Sequence, residues 1–176
     1  AAGAEIAQKT DGRIEIRIFP AGTVGAAKEV LPGLRLGTNE MAFDGAGILS
    51  QWLPAISVLE APFFAKDFAH LQRMTNSDAG QALLEQLRQK AGMRVLDIWY
   101  YGTREITNNE RPVETIDDLK GIKLRVPETD LSLEFAKALG MTPTPMAFPE
   151  LYLGLQTGVV DGQENPLTTI NAAKFY

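Results

Sequence analysis

The 176-residue chain predicts an α/β fold with largely parallel strand pairing, on three observations. Strand-like runs and amphipathic helical runs take turns from end to end, and Gly or Pro marks most junctions between them. Polar and small residues also gather where strand-like runs stop, at Asp44-Gly45, at Arg125 and at Gln163-Asn165. Ligands of open α/β sheets sit outside the carboxyl ends of the strands, so these three places predict a cleft.

The opening AAGAEIAQKT reads as the interior of a helix with Ala2 and Ile6 on one side, and Gly12 stops it. Ile14, Ile16 and Ile18 alternate with Glu15, Arg17 and Phe19 as in a half-buried strand that Pro20 ends. AAKEVLPGLRLG has helical spacing in Val30, Leu31 and Leu34, with Pro32 and Gly33 expected to weaken or kink it. MAFDGAG reads as a short buried strand running into a glycine turn, and residues 53–68 are irregular. Ser77 and Asp78 open an amphipathic helix through Leu83, Leu84 and Leu87, and Gly92 closes it. MRVLDIWYYG is rich in branched and aromatic residues, which predicts a strand bent at Gly102. IKLRVP is a strand closed by Pro127, Leu131 to Gly140 a helix and MTPTPM the next strand; PELYLGLQTG then predicts a helix and VVDGQEN a strand. The text opens and closes inside helices, NAAKFY being the far end, so the chain is expected to be part of a longer protein.

Composition excludes several functions. Apolar residues make up 45% of the chain, enough for a packed core, and 22 acids against 17 bases give a net charge of -5. With no block of like charge, the basic footprint of a nucleic-acid binder is missing. Cysteine is absent and His70 is the single histidine, so thiol chemistry and histidine-built metal centres are not expected and no cofactor is implied. Every apolar run is broken short of the roughly 18 to 20 residues that cross a bilayer. No G-x-S-x-G elbow is present, and Glu150 and Glu164 lack a nucleophile or metal to work with, so catalysis is not expected.

Four stretches together, GTREITNN, DLKGIKLRVP, ALGMTPTPMAFPELYLGLQTG and VVDGQENP with the following KFY, resemble the substrate-binding proteins of tripartite ATP-independent periplasmic (TRAP) transporters. GRIEIRIFPAGTVG extends the likeness back to Arg13. The resemblance implies two lobes, here 1–101 and 102–176, closing on a small organic acid that is presented to membrane permease subunits in the periplasm. It implies no catalysis. By the same resemblance Arg125 of L-R-V-P pairs with the ligand carboxylate, and Arg104 of G-T-R lies in the same cleft. Phe148 of P-M-x-F and Asn165 of Q-E-N-P are further matched contacts. Some members, notably sialic-acid binders, carry a carboxylate near F-x-E-S; this chain reads FDGAG, with Gly45 at that place and Asp44 beside it, which argues against sialic acid. Tyr101 before the Gly102 bend and Gln163 beside Asn165 complete the expected ligand set.

The chemistry favours arginine for this task. A carboxylate entering a closed cleft loses its hydration and needs a fixed counter-ion; guanidinium stays charged and its parallel donors match both oxygens. Each residue also has a plainer reading: Arg125 as an ion pair with Glu128, Arg104 as a partner of Glu164, Asn165 as a turn residue before Pro166, Phe148 as core. Lys123, on the same side of its strand as Arg125, is a weaker anion ligand. The rival functions are an α/β lyase or hydrolase acting on organic acids, and a binding protein that serves a sensor.

Overall fold

A computed structural model describes residues 2–20 and 22–176; the side chain of Ala2, expected on the first helix's apolar side, lies outside the described residues. Helix α1 is Ala2–Lys9, and α2, Ala27–Leu36, runs through Pro32 without a break before Gly37 ends it in the left-handed region. Short segments of tighter helix follow at Ala46–Gln51 and Pro54–Glu60. Helix α3, Phe68–Asn76, starts at Asp67, whose carboxylate accepts the His70 N–H at 2.6 Å. Ser77 then caps α4, Asp78–Ala91, and Gly92 closes it. Leu31, Leu53, Ile56, Leu87, Ala91 and Met93 are the buried core of this first half.

Three expected strands do not form here. The segments around Ile14–Ile18, Met41–Gly45 and Met93–Tyr101 have no ladder among the described residues. Ile18, Phe19, Met41, Phe43, Leu96 and Trp99 are consequently exposed. Alternation states which face of a strand is apolar, but a strand exists only where a second backbone accepts its hydrogen bonds. Two of these segments still meet through side chains, with the Phe43 and Trp99 rings 5.3 Å apart.

The second half holds the sheet. Strands β1 (Arg104–Asn108), β2 (Lys123–Val126), β3 (Thr142–Pro145) and β4 (Gly162–Pro166) lie in the order β1-β4-β2-β3. β2 is parallel to β3 and β4, and β1 is antiparallel to β4. Helix α5, Asp130–Ala138, makes the β2-to-β3 crossover and is capped by Thr129, whose hydroxyl accepts the Ser132 N–H at 3.2 Å. Helices α6, Leu151–Gln156, and α7, Leu167–Ala173, flank β4 in sequence.

The alternation of β2 decides what faces what. Leu124 and Val126 pack with Leu119, Ile122, Ala136 and Met141, and Ile106 of β1 joins them, so Arg125 projects from the other face. Leu151, Val160, Ile170 and Phe175 form a second cluster. The last strand corrects the sequence reading: Val159 and Val160 belong to the turn after α6, and the polar string Gly162–Pro166 is itself the strand, buried throughout. Gly162 permits this, since a Cβ there would collide with the Thr107 carbonyl of β1.

Candidate functional site

Strand direction gathers the site. The parallel strands β2, β3 and β4 all end at one edge of the sheet, and antiparallel β1 begins there, with Arg104 opposite Pro166. Arg104, Arg125, the Met146–Phe148 segment and Asn165 therefore share that edge.

Arg125 is 3% exposed, yet no carboxylate lies within ion-pair distance of it among the described residues. Its Nε donates to the Met146 carbonyl at 2.9 Å, which fixes the plane of the guanidinium. The two terminal nitrogens have no protein partner among the described residues, and neither is sealed from solvent, so they face an opening. Burial lowers the Arg125 pKa to about 10; Glu164 pulls it back up and the charge of Arg104 pushes it further down. It is a charged donor pair held in place with no carboxylate in ion-pair contact among the described residues. The ion pair with Glu128 is not made, because Glu128 accepts from Lys28 of α2 at 3.0 Å. Lys123 is occupied at the strand's other end by Asp161 at 3.3 Å.

Behind Arg125 runs a satisfied polar chain. Gln163, 0% exposed, donates from Nε2 to the Thr107 hydroxyl at 2.7 Å and accepts the Asn165 Nδ2–H at 2.6 Å. Asn165, 2% exposed, accepts in turn from Arg104 at 3.3 Å. Arg104 also clasps the Glu164 carboxylate through both Nε and a terminal nitrogen, and donates to the Glu164 carbonyl at 2.7 Å. Gln163 spends its amide on protein groups and so orients Asn165 from behind. Arg104 makes the pairing with Glu164 that its sequence allowed.

The aromatic candidates stand to one side. Phe148 is 40% exposed, meets Phe175 edge-on at 5.6 Å, and lines an open recess of about 380 Å³ with Thr168, Thr169, Ala172 and Ala173. Tyr101 is tied to the same place by its hydroxyl, which accepts from Thr169 at 2.9 Å. Gly102, at φ 129°, makes the bend between Tyr101 and Arg104; a Cβ on it would stand 2.7 Å from Pro166.

The first half supplies two acids, Asp44 and Glu60, and the charge of Arg104 reaches the second. Asp44 accepts the Gly45 N–H at 2.8 Å, and the protein packed around it pushes its pKa up although it keeps exposed surface. Glu60 is raised for the same reason, against the pull of the Gly47 N–H and of Arg104. A Cβ on Gly45 or Gly47 would overlap the Glu60 carboxylate, so the two glycines make its berth. The same Cβ on Gly47 would stand 3.5 Å from the Thr129 methyl, which puts Glu60 at the seam between the two halves. Gly45 thus lies under a carboxylate supplied from 15 residues downstream. Sequence reasoning missed Glu60, Thr107 and the Met146 carbonyl. Only Glu60 left a trace, an acid inside the apolar run SVLEAPFF.

A family model described as bacterial extracellular solute-binding protein, family 7, matches residues 3–176. The sialic acid-binding periplasmic protein SiaP of Vibrio cholerae is 45% identical over 169 residues, covering 96% of this chain and 52% of that protein. The 2,3-diketo-L-gulonate-binding periplasmic protein YiaO of Escherichia coli is 35% identical over 96% of this chain and 51% of its own length. Among solved structures, a TRAP periplasmic solute-binding protein of Roseobacter denitrificans with bound L-galactonate superposes with a TM-score of 0.93 at 38% identity, over 98% of this chain and 57% of that one. The sugar-acid-binding protein of Advenella mimigardefordensis, in complex with galactonate, gives 0.94 at 33% identity, over 99% and 56%. The chain spans about half the length of the curated relatives it matches. Sequence and fold agree, and the chain belongs to bacterial extracellular solute-binding protein family 7.

Proposed function

We propose that this chain carries the anion-gripping edge of a periplasmic TRAP receptor, which closes two lobes around a small organic acid and delivers it to the membrane subunits. The observation that carries the reading is Arg125, a buried guanidinium whose terminal donors face an opening and have no carboxylate beside them among the described residues. A ligand carboxylate is the group that completes such a site, because it supplies charge and two acceptors to a plane already set by Met146. Asn165 and Arg104 flank it, Phe148 and Tyr101 give an apolar side, and Asp44 and Gly45 sit on the facing wall. The lobes divide at residue 101, and Lys28 with Glu128 ties them across the seam. Relatives with bound L-galactonate and galactonate support an acid as ligand. The family is one of solute-binding proteins and not of enzymes, and a receptor returns its ligand unchanged.

Calorimetric titration of the full gene product that carries this chain, with L-galactonate, L-gulonate and succinate, tests the reading. Saturable binding of at least one acid, recovered chemically intact, is expected. Absence of binding to all three, or recovery of a converted product, overturns it.

A further inference from the structure

We infer that Glu60 is a specificity-determining residue, whose carboxylate accepts a hydrogen bond from a ligand hydroxyl and turns away acids with a second carboxylate. The inference deepens the receptor reading and rests on it. Its ground is the bipolar character of the opening. One wall presents the Arg125 donors; Arg104, whose charge reaches both Arg125 and Glu60, joins it to the wall that carries Glu60 with Asp44 beside it, where Gly47 approaches Thr129. Gly45 and Gly47 leave open the volume that the Glu60 carboxylate occupies. Among the described residues it makes no ion pair within 4.0 Å; the charge of Arg104 reaches it, but Arg104 is engaged by Glu164.

A ligand spanning the two walls must be an anion at one end and a hydrogen-bond donor at the other. A hydroxylated monocarboxylate meets both demands. A dicarboxylate meets the first and sets its second charge against Glu60 and Asp44, where removal from water strengthens the repulsion. The protein surrounding Glu60 already holds its pKa up, and a second anion there would be opposed further.

The test compares L-galactonate with succinate on the full gene product and on Glu60→Gln, by calorimetry at neutral pH. Loss of the charge weakens L-galactonate by about 5- to 10-fold, the difference between a charged and a neutral acceptor. Succinate binds the variant as well as or better than wild type, so the preference between the two acids narrows by at least that factor. Equal weakening of both acids, or an unchanged preference, overturns the role of Glu60 while leaving the receptor reading in place. If wild type binds neither acid, nor L-gulonate, the receptor reading fails and this inference falls with it. Glu60→Asp, which keeps the charge and withdraws it by one methylene, is measured beside it. Should Glu60→Gln not fold, weaker L-galactonate binding with unchanged exclusion of succinate supports the inference, and an unaltered L-galactonate affinity overturns it.

Discussion

Replacing Arg125 with methionine should make the ligand-free protein more stable while it removes anion binding. Burial lowers the guanidinium pKa to about 10, and at about 1.36 kcal/mol per unit the fold disfavours the charge by on the order of 3 kcal/mol. The sign follows from proton linkage: a base whose folded pKa is depressed imposes its full cost below that value and loses it as pH rises toward the ordinary arginine pKa. At neutral pH the whole cost is present. Methionine removes it, fills similar volume, and gives up the bond from Nε to the Met146 carbonyl, worth about 1 kcal/mol. A net gain of about 1 to 2 kcal/mol is expected in urea unfolding without ligand. The same change should weaken L-galactonate binding by about 2 to 5 kcal/mol, the usual cost of truncating a buried charge partner. Because ligand at 100 times its Kd stabilises wild type by about 2.7 kcal/mol, the order of stabilities should reverse when L-galactonate is added. A variant less stable than wild type in both conditions would show that the guanidinium holds the sheet edge together. Unaltered affinity would remove Arg125 from the ligand.

Gln163→Ala should destabilise by about 1 to 3 kcal/mol in urea unfolding, since it strips partners from the buried Asn165 amide and from Thr107. Arg104→Lys should cost about 1 to 3 kcal/mol in the same assay, because an ammonium cannot reproduce the fork on the nearly buried Glu164. Gly47→Ala should change stability by less than about 1 kcal/mol, since the atom its Cβ meets is the end of a side chain that can swing away, yet it should shift ligand preference as Glu60→Gln does. The raised pKa of Glu60 has a definite pH signature: the folded state holds the extra proton above pH 4.5, so wild type should lose stability relative to Glu60→Gln as pH rises through the folded pKa. Urea midpoints measured across that range with a constant difference would exclude it.

Local grammar was legible where a residue's role is set by its neighbours in the chain. Ser77 and Gly92 bracket α4 because a cap needs only the adjacent backbone. Arg125 was legible as the polar member of an apolar strand, since Leu124 and Val126 on either side must turn the other way. Elsewhere the same grammar misled. The alternation around Ile14–Ile18 read as a strand that has no ladder here, and VVDGQEN drew attention to its valines although the polar residues form the strand. A polar strand can be buried when every group on it is satisfied, and the partners of Gln163 and Arg104 lie 56 and 60 residues away.

By itself, the sequence determined the α/β class, the family likeness and the strand tip on which the guanidinium sits, because these follow from periodicity, turn residues and motif order. Tertiary structure alone decided the pairing of charges. Glu128 went to Lys28 and Glu164 to Arg104, which left Arg125 buried with no paired carboxylate among the described residues, and Glu60 was brought over Gly45 and Gly47, where the charge of Arg104 reaches it. Electrostatic partnership depends on distance in space, and no pattern along the chain encodes which of several acids arrives first.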